Sequence, residues 1–426
     1  MSLGATFLGG AKSRLLPVSI PFRFFLAGIV FHILMWFALL LAAAEAVDYV
    51  GGPGATLGAL HFLTLGVFAT VAIGAALQML PVATRKPMPT SWPVRLAFWL
   101  YVPAVPVLAH GMASHDAALM TWGGGFAGAG LLLLAFLLAD NLRRASDLPL
   151  VAAYGWLATT SLVALTLLGL ALIFDFENAF LADHAGIALA HAIIAVFGFM
   201  GMLAVGFSHI LVPMFALSPA PPRSVGKVGF VLWVGALALA VIGALFASAP
   251  LFAAGAALGL AASGVYLWTM GWVWRRRLRK HMGLSFALAR LSWALLPASL
   301  AVAVAAGFGL AGDSGATLAG FIALWGWLLT FLLAILQRIM PFLASMHAAK
   351  VKGKPPLVSE LTAETPLRVH AVCHVAALAL IAAGIVFDLA LAVRLGAAAG
   401  LAGSLAFAAF AVPLTRRLFF VRGETP

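Results

Sequence analysis

The stretch LHFLTLGVFATVAIGAALQMLPV (Leu60–Val82) decides how this chain is read, because two diverged versions of it follow. AHAIIAVFGFMGMLAVGFSHILVPMF covers Ala190–Phe215, and GFIALWGWLLTFLLAILQRIMPFL covers Gly320–Leu343. Aligned on Pro81, Pro213 and Pro341, the residue fifteen places upstream is glycine each time: Gly66, Gly198 and Gly326. Seven places upstream stand Gly74, Gly206 and Ala334; four places upstream stand Leu77, His209 and Gln337. The prolines lie 132 and 128 residues apart, close to a third of the 426-residue chain. An internal period of this length constrains the whole fold. Small residues can share a phase by chance in a chain rich in glycine and alanine, but the equal spacing argues against chance.

Hydrophobic residues make up 64% of the chain and charged residues 9%. With a mean hydropathy of +1.10, this excludes an ordinary soluble domain and points to a polytopic membrane protein. The apolar run after the basic N-terminal residues is too long for a signal h-region and lacks an obvious cleavage site, so a retained first helix is expected. Cys373 is the single cysteine, so there is no disulfide framework. The formal charge of +12 fits basic loops facing anionic lipid, and no nucleic-acid partner is expected.

Twelve segments reach membrane-spanning length: Phe22–Ala44, Leu57–Leu80, Val94–Gly111, Ala117–Leu138, Val151–Ile173, Gly186–Leu211, Val228–Phe246, Leu251–Trp272, Phe286–Leu310, Thr317–Phe342, Val369–Ala390 and Gly396–Leu414. The third, seventh and twelfth are the shortest. Basic residues fall on one set of connections: Lys12, Arg14 and Arg23, then Arg85, Lys86 and Arg95, Arg143 and Arg144, Arg223 and Lys227. The same side carries Trp274–Lys280, then Lys350, Lys352 and Lys354, then Arg416, Arg417 and Arg422. The opposite loops hold Glu45, Asp48, Asp116, Asp175, Glu177, Asp183 and Asp313, with Arg394 as the basic exception. The positive-inside rule then puts both termini in the cytoplasm. Four helices per period make the repeats parallel, with their symmetry axis along the membrane normal. The expectation is an all-α protein of three four-helix repeats, about 1–145, 146–281 and 282–426, related by a pseudo-threefold axis. The second, sixth and tenth helices would form its inner ring, where glycine, alanine, Thr70 and Ser208 allow close backbone approach.

There are eleven histidines, and several fall at membrane depth. His61 and His191 lie in the outer parts of the second and sixth helices and can share a layer. His32 is near the middle of the first helix. His209 is near the inner end of the sixth, level with Gln78 and Gln337, while His370 and His374 are four apart on one face of the eleventh. Imidazole is the usual axial ligand of haem iron and also suits copper. His61 and His191 are therefore read as ligands of a b-type haem, and His209, His370 and His374 as a second metal site, with copper as its ion. Packing or proton transfer is the competing role for each. His115 and His184 lie near the surface and are not read as ligands; the methionines are read mostly as core filler. Arg338 is placed either to snorkel to phosphate or to pair with a ligand carboxylate. Glu45 and Asp388 lie near helix ends, where a solvated terminus is the simpler role. There is no CxxCH, P-loop or dinucleotide fingerprint, and no nucleophile–histidine–acid set.

Twelve helices in three parallel groups of four, with histidines on the inner ones, resemble subunit I of the haem–copper oxidases and nitric oxide reductases. The size, the opening PFRFFLAGIVF and the HxxxLG…LQMLPV pattern of the second helix look closer to the NnrS family, membrane haem and copper proteins associated with bacterial nitric oxide stress. The resemblance implies a bacterial inner-membrane redox or gas-response protein that acts on or senses nitric oxide. It also implies quinol or another electron donor as partner. His61 matches the position of the oxidases' low-spin haem ligand. The tenth helix lacks the two histidines of the oxidases, and the seventh has none where copper ligands would stand. An oxygen-reducing haem–copper centre is therefore not expected. Two other classes stay open at this level: a transporter or metal/haem carrier without redox catalysis, and an anchoring subunit. A haem spectrum separates the first from the redox reading, and co-purification with a partner identifies the second.

Overall fold

A computed structural model describes residues 16–83, 91–145, 148–352 and 356–420 of the chain. Among the described residues, 12 helices are long and apolar enough to cross a membrane. They are α1 (Ser19–Leu41), α2 (Ala55–Pro81), α3 (Trp92–Ser114), α4 (Ala117–Arg143), α5 (Pro149–Asn178) and α6 (His184–Ala216), then α7 (Arg223–Leu245), α8 (Ala249–Arg275), α9 (Gly283–Gly307), α10 (Gly315–Ala348), α11 (Glu364–Val386) and α12 (Ala390–Leu418). The protein is all-α and has the composition of a multi-pass membrane protein. Helices satisfy their own backbone polar groups, which hydrocarbon requires of any spanning segment. The three segments read as shortest are each longer than expected. α3 is interrupted at Val102 and Pro103, where the prolines Pro103 and Pro106 remove backbone donors. Lys12, Arg14, Arg85, Lys86, Lys354 and Arg422 of the orientation argument lie outside the described residues, as do both chain ends.

α2, α6 and α10 each contain a π-helical segment, over Phe62–Ala69, Ile194–Met200 and Ile322–Leu329. Their starts are separated by 132 and 128 residues, the same intervals that separate the closing prolines. Each encloses one phased glycine. The wider turn frees carbonyls, and side chains take some of them up: Thr70 Oγ1 donates to the Leu65 carbonyl and Thr330 Oγ1 to that of Trp325, each at 3.0 Å.

The glycines mark close approach. A Cβ on Gly66 would lie 2.7 Å from Phe31 Cγ, one on Gly198 2.6 Å from Ser161 Oγ, and one on Gly326 3.1 Å from Leu295 Cδ1. These partners stand on α1, α5 and α9. One layer further, Gly74 meets Phe24 and Gly206 meets Tyr154 in the same way. A second set of contacts joins α4 to α5, α8 to α9 and α12 to α1. There a Cβ on Gly128 would reach Thr166, one on Gly259 would reach Leu300, and one on Gly400 would strike the Trp36 ring. α2 and α10 are the most buried helices, at 67% and 72% of their apolar windows. α6 is less buried, at 44%, because a cavity flanks it on each side.

Candidate functional site

The site begins at the start of α2. Glu45, in the α1–α2 connection, accepts the backbone N–H groups of Ala55 and Thr56 through its two carboxylate oxygens, each at 3.0 Å. A carboxylate here satisfies orphan donors and complements the positive end of the helix dipole. Glu45 is therefore a helix cap. Gly54 precedes it with φ 157°, and a Cβ there would collide with the Glu45 carboxylate. On the helix so fixed, His61 donates from Nδ1 to the Leu57 carbonyl at 3.0 Å.

His191, in the first turns of α6, donates from Nδ1 to the Leu165 carbonyl of α5 at 2.9 Å. Gly169 makes this possible, since a Cβ on it would lie 3.1 Å from His191 Cε1. Both imidazoles line one cavity of about 90 Å³ between α2, α4, α5 and α6. The remaining wall is apolar apart from Thr64 and Thr166, whose hydroxyls donate to Leu60 and Leu162 within their own helices. In both histidines a carbonyl fixes the proton on Nδ1, so Nε2 carries a bare lone pair. Among the described residues neither Nε2 has a hydrogen-bond partner. A backbone acceptor on one ring nitrogen and a free lone pair on the other is the arrangement seen in metal-bound histidine. An imidazole nitrogen with a free lone pair is the donor type that haem iron or another transition metal takes.

The expected grouping of His209 with His370 and His374 is not what the structure assembles. His209 donates from Nδ1 to Val205 at 2.9 Å and stacks on Tyr154 of α5, with ring centres 5.6 Å apart. It also faces Gly226 of α7. His370 and His374 stack on each other at 5.7 Å, and His370 packs instead with His32 of α1 and Phe407 of α12. Among the described residues no group of three or more His, Cys, Asp or Glu side chains is placed to hold a metal ion.

The cluster that does form was not legible as one. His32 accepts from Trp36 Nε1 at 3.0 Å, His370 donates from Nδ1 to Gly403 at 3.2 Å, and His374 meets Thr330 Oγ1 at 2.7 Å. The Thr330 hydroxyl hydrogen is already given to Trp325, so His374 Nε2 is the donor in that pair. His32 Nδ1, His370 Nε2 and His374 Nδ1 are left buried without partners. The i, i+4 spacing of His32 and Trp36 was the available sequence signal. His184 donates from Nδ1 to Asp175 Oδ2 at 2.6 Å across the α5–α6 connection, and Asp183 caps α6. His115 is the left-handed residue that ends α3. No model of a known protein family matches the chain, and no curated protein matches it.

Proposed function

We propose that this chain is a haem-binding membrane protein in which His61 and His191 are the axial imidazoles. The observation that carries the proposal is the pair of free Nε2 lone pairs on one apolar cavity, each ring held from behind by a backbone carbonyl. Bound haem would supply electron transfer with both imidazoles on the iron, or an open position for a small neutral gas with one. Leu57 and Leu165 keep the two imidazoles in the ligating tautomer, and Gly169 leaves room for His191 to lie against α5. The apolar wall keeps water from competing for the Nε2 atoms. The resemblance to NnrS makes nitric oxide the gas to test first and the bacterial inner membrane, with both termini cytoplasmic, the expected setting.

The arrangement proposed around this site is three parallel four-helix repeats about an axis along the membrane normal. Three π segments in phase with three prolines, and glycine contacts in one register on α1, α5 and α9, support it. A carrier would place polar groups along that axis. The cavity between α2, α6 and α10, about 60 Å³, is lined instead by residues such as Val71, Ala75, Leu203, Phe207, Phe331 and Ile335. That favours the haem reading over the carrier.

The test is the visible spectrum of the purified protein. A Soret band that shifts on reduction is expected, with haem content falling or spin state changing in His61→Ala and in His191→Ala. His115→Ala should leave both unchanged. Wild-type spectra in both site variants, or no Soret band in the parent, overturn the proposal.

A further inference from the structure

Five arginines gather around the connection between α8 and α9, and none of them lines the histidine cavity. Arg276 lies 4.3 Å over the Trp272 ring and Arg277 4.1 Å over the Trp274 ring, which Arg290 also approaches at 5.1 Å. Arg338 reaches in from α10. Its Nε donates to Ser285 Oγ at 2.6 Å and its Nη2 to the Met282 carbonyl. Gly283, at φ 68°, turns the chain past that guanidinium, and a Cβ on it would sit 3.2 Å from Nη2. The backbone N–H of Arg279 donates to Ala216, tying the connection to the end of α6. These contacts make the arginines a held surface.

Its electrostatics are uncompensated. The arginine–carboxylate pairs among the described residues engage Arg143, Arg144 and Arg368, and none involves these five arginines. All their hydrogen bonds go to neutral oxygens, and the buried Nε of Arg277 has no partner among the described residues. Positive charge concentrated at one connection, with no acid paired to it among the described residues, favours an anion there. The planar guanidinium fork matches phosphate oxygens, and stacking on tryptophan leaves its N–H edges free to bind them. Tryptophan at the end of a spanning helix marks the membrane–water boundary. The flank of α8 below is apolar and exposed at Trp268 (46%), and Leu278, between Arg277 and Arg279 in the connection, is 76% exposed. A free phosphate would use the arginines and leave that flank bare, whereas a lipid uses both.

We infer that the α8–α9 connection binds the phosphate headgroup of an anionic membrane lipid, with Arg276, Arg277 and Arg279 at the mouth and Arg338 behind them. The test is a titration of the detergent-solubilised full chain with phosphatidylglycerol, read by native mass spectrometry. Phosphatidylcholine and inorganic phosphate at matched ionic strength are the other arms. Arg276 and Arg279 are exposed, so the double variant Arg276→Gln/Arg279→Gln does not threaten the fold. It should bind phosphatidylglycerol roughly thirtyfold more weakly, from about 1 kcal/mol per basic residue near an anionic headgroup and about 1.4 kcal/mol per factor of ten. Arg143→Gln/Arg144→Gln, which removes the pairs to Asp140, should bind as the parent does. Equal affinity for the two lipids, unchanged affinity in the first variant, or phosphate binding as tightly as phosphatidylglycerol would each overturn the inference.

Discussion

Two residues fix how His191 presents its free nitrogen. One is the Leu165 carbonyl, which cannot be mutated away, and the other is Gly169. Alanine is the better helix former by about 0.8–1.0 kcal/mol, so Gly169→Ala should not weaken α5 as a helix. Its Cβ, however, would lie 3.1 Å from His191 Cε1 and 3.6 Å from Nδ1, so the ring must shift by a few tenths of an ångström against the Leu165 carbonyl. The expected result is a protein with unchanged helical circular dichroism and a lowered or shifted Soret band. A spectrum identical to that of the parent would show that the imidazole tolerates the methyl and that Gly169 does not set its position.

At the scale of the element, the three π segments separate the N-terminal turns of α2, α6 and α10 from their C-terminal halves. A π segment behaves as a single-residue insertion in an α-helix, and such bulges are frequent at functional sites. In α6 it starts three residues after His191. Deleting one residue there, Ile194, would return the segment to ordinary α-helix. Because the deletion takes out the inserted residue, the turns on either side keep their faces and His191 stays on the cavity it shares with His61. Deletion of Ile194 should therefore leave the visible spectrum close to that of the parent with helix content retained. Loss of the spectrum with helix content retained would mean that the wide turn itself orients His191.

At the scale of the molecule, the junctions α4–α5, α8–α9 and α12–α1 use the same kind of contact and fill it differently. Gly128 faces Thr166 beside the histidine cavity, and Gly259 faces Leu300 beside an apolar cavity of about 260 Å³. Gly400 faces Trp36, a buried side chain that is also tied to His32. Related junctions thus differ by how large a side chain the facing helix supplies. The third is full. A Cβ on Gly400 would lie 2.4 Å from the indole, so Gly400→Ala should destabilise by about 1–3 kcal/mol, the usual cost of overpacking. Gly125→Ala, at a helical position with nothing within 4 Å, should be stabilising by up to about 1 kcal/mol. Thermal or detergent unfolding of the two variants checks the difference. Equal midpoints would mean that the α12–α1 junction relaxes freely.

The sequence by itself determined the membrane setting, the number of long apolar helices and the phase of the three glycine–proline stretches. Those properties are one-dimensional: composition decides partition into hydrocarbon, and spacing along the chain decides helix length and period. It also ranked His61 and His191 together, because depth can be counted at about 1.5 Å per residue. What it left undecided was azimuth. His209, His370 and His374 can be placed near one end of the bundle by counting, yet His209 turns onto Tyr154 while His370 stacks on His374 and turns onto His32. Direction around a helix becomes definite only when side chains pack. Across a π segment even a helical-wheel projection slips by one residue. Tertiary packing alone therefore decided which imidazoles share a cavity, that Glu45 caps α2, and that five arginines meet without an acid between them.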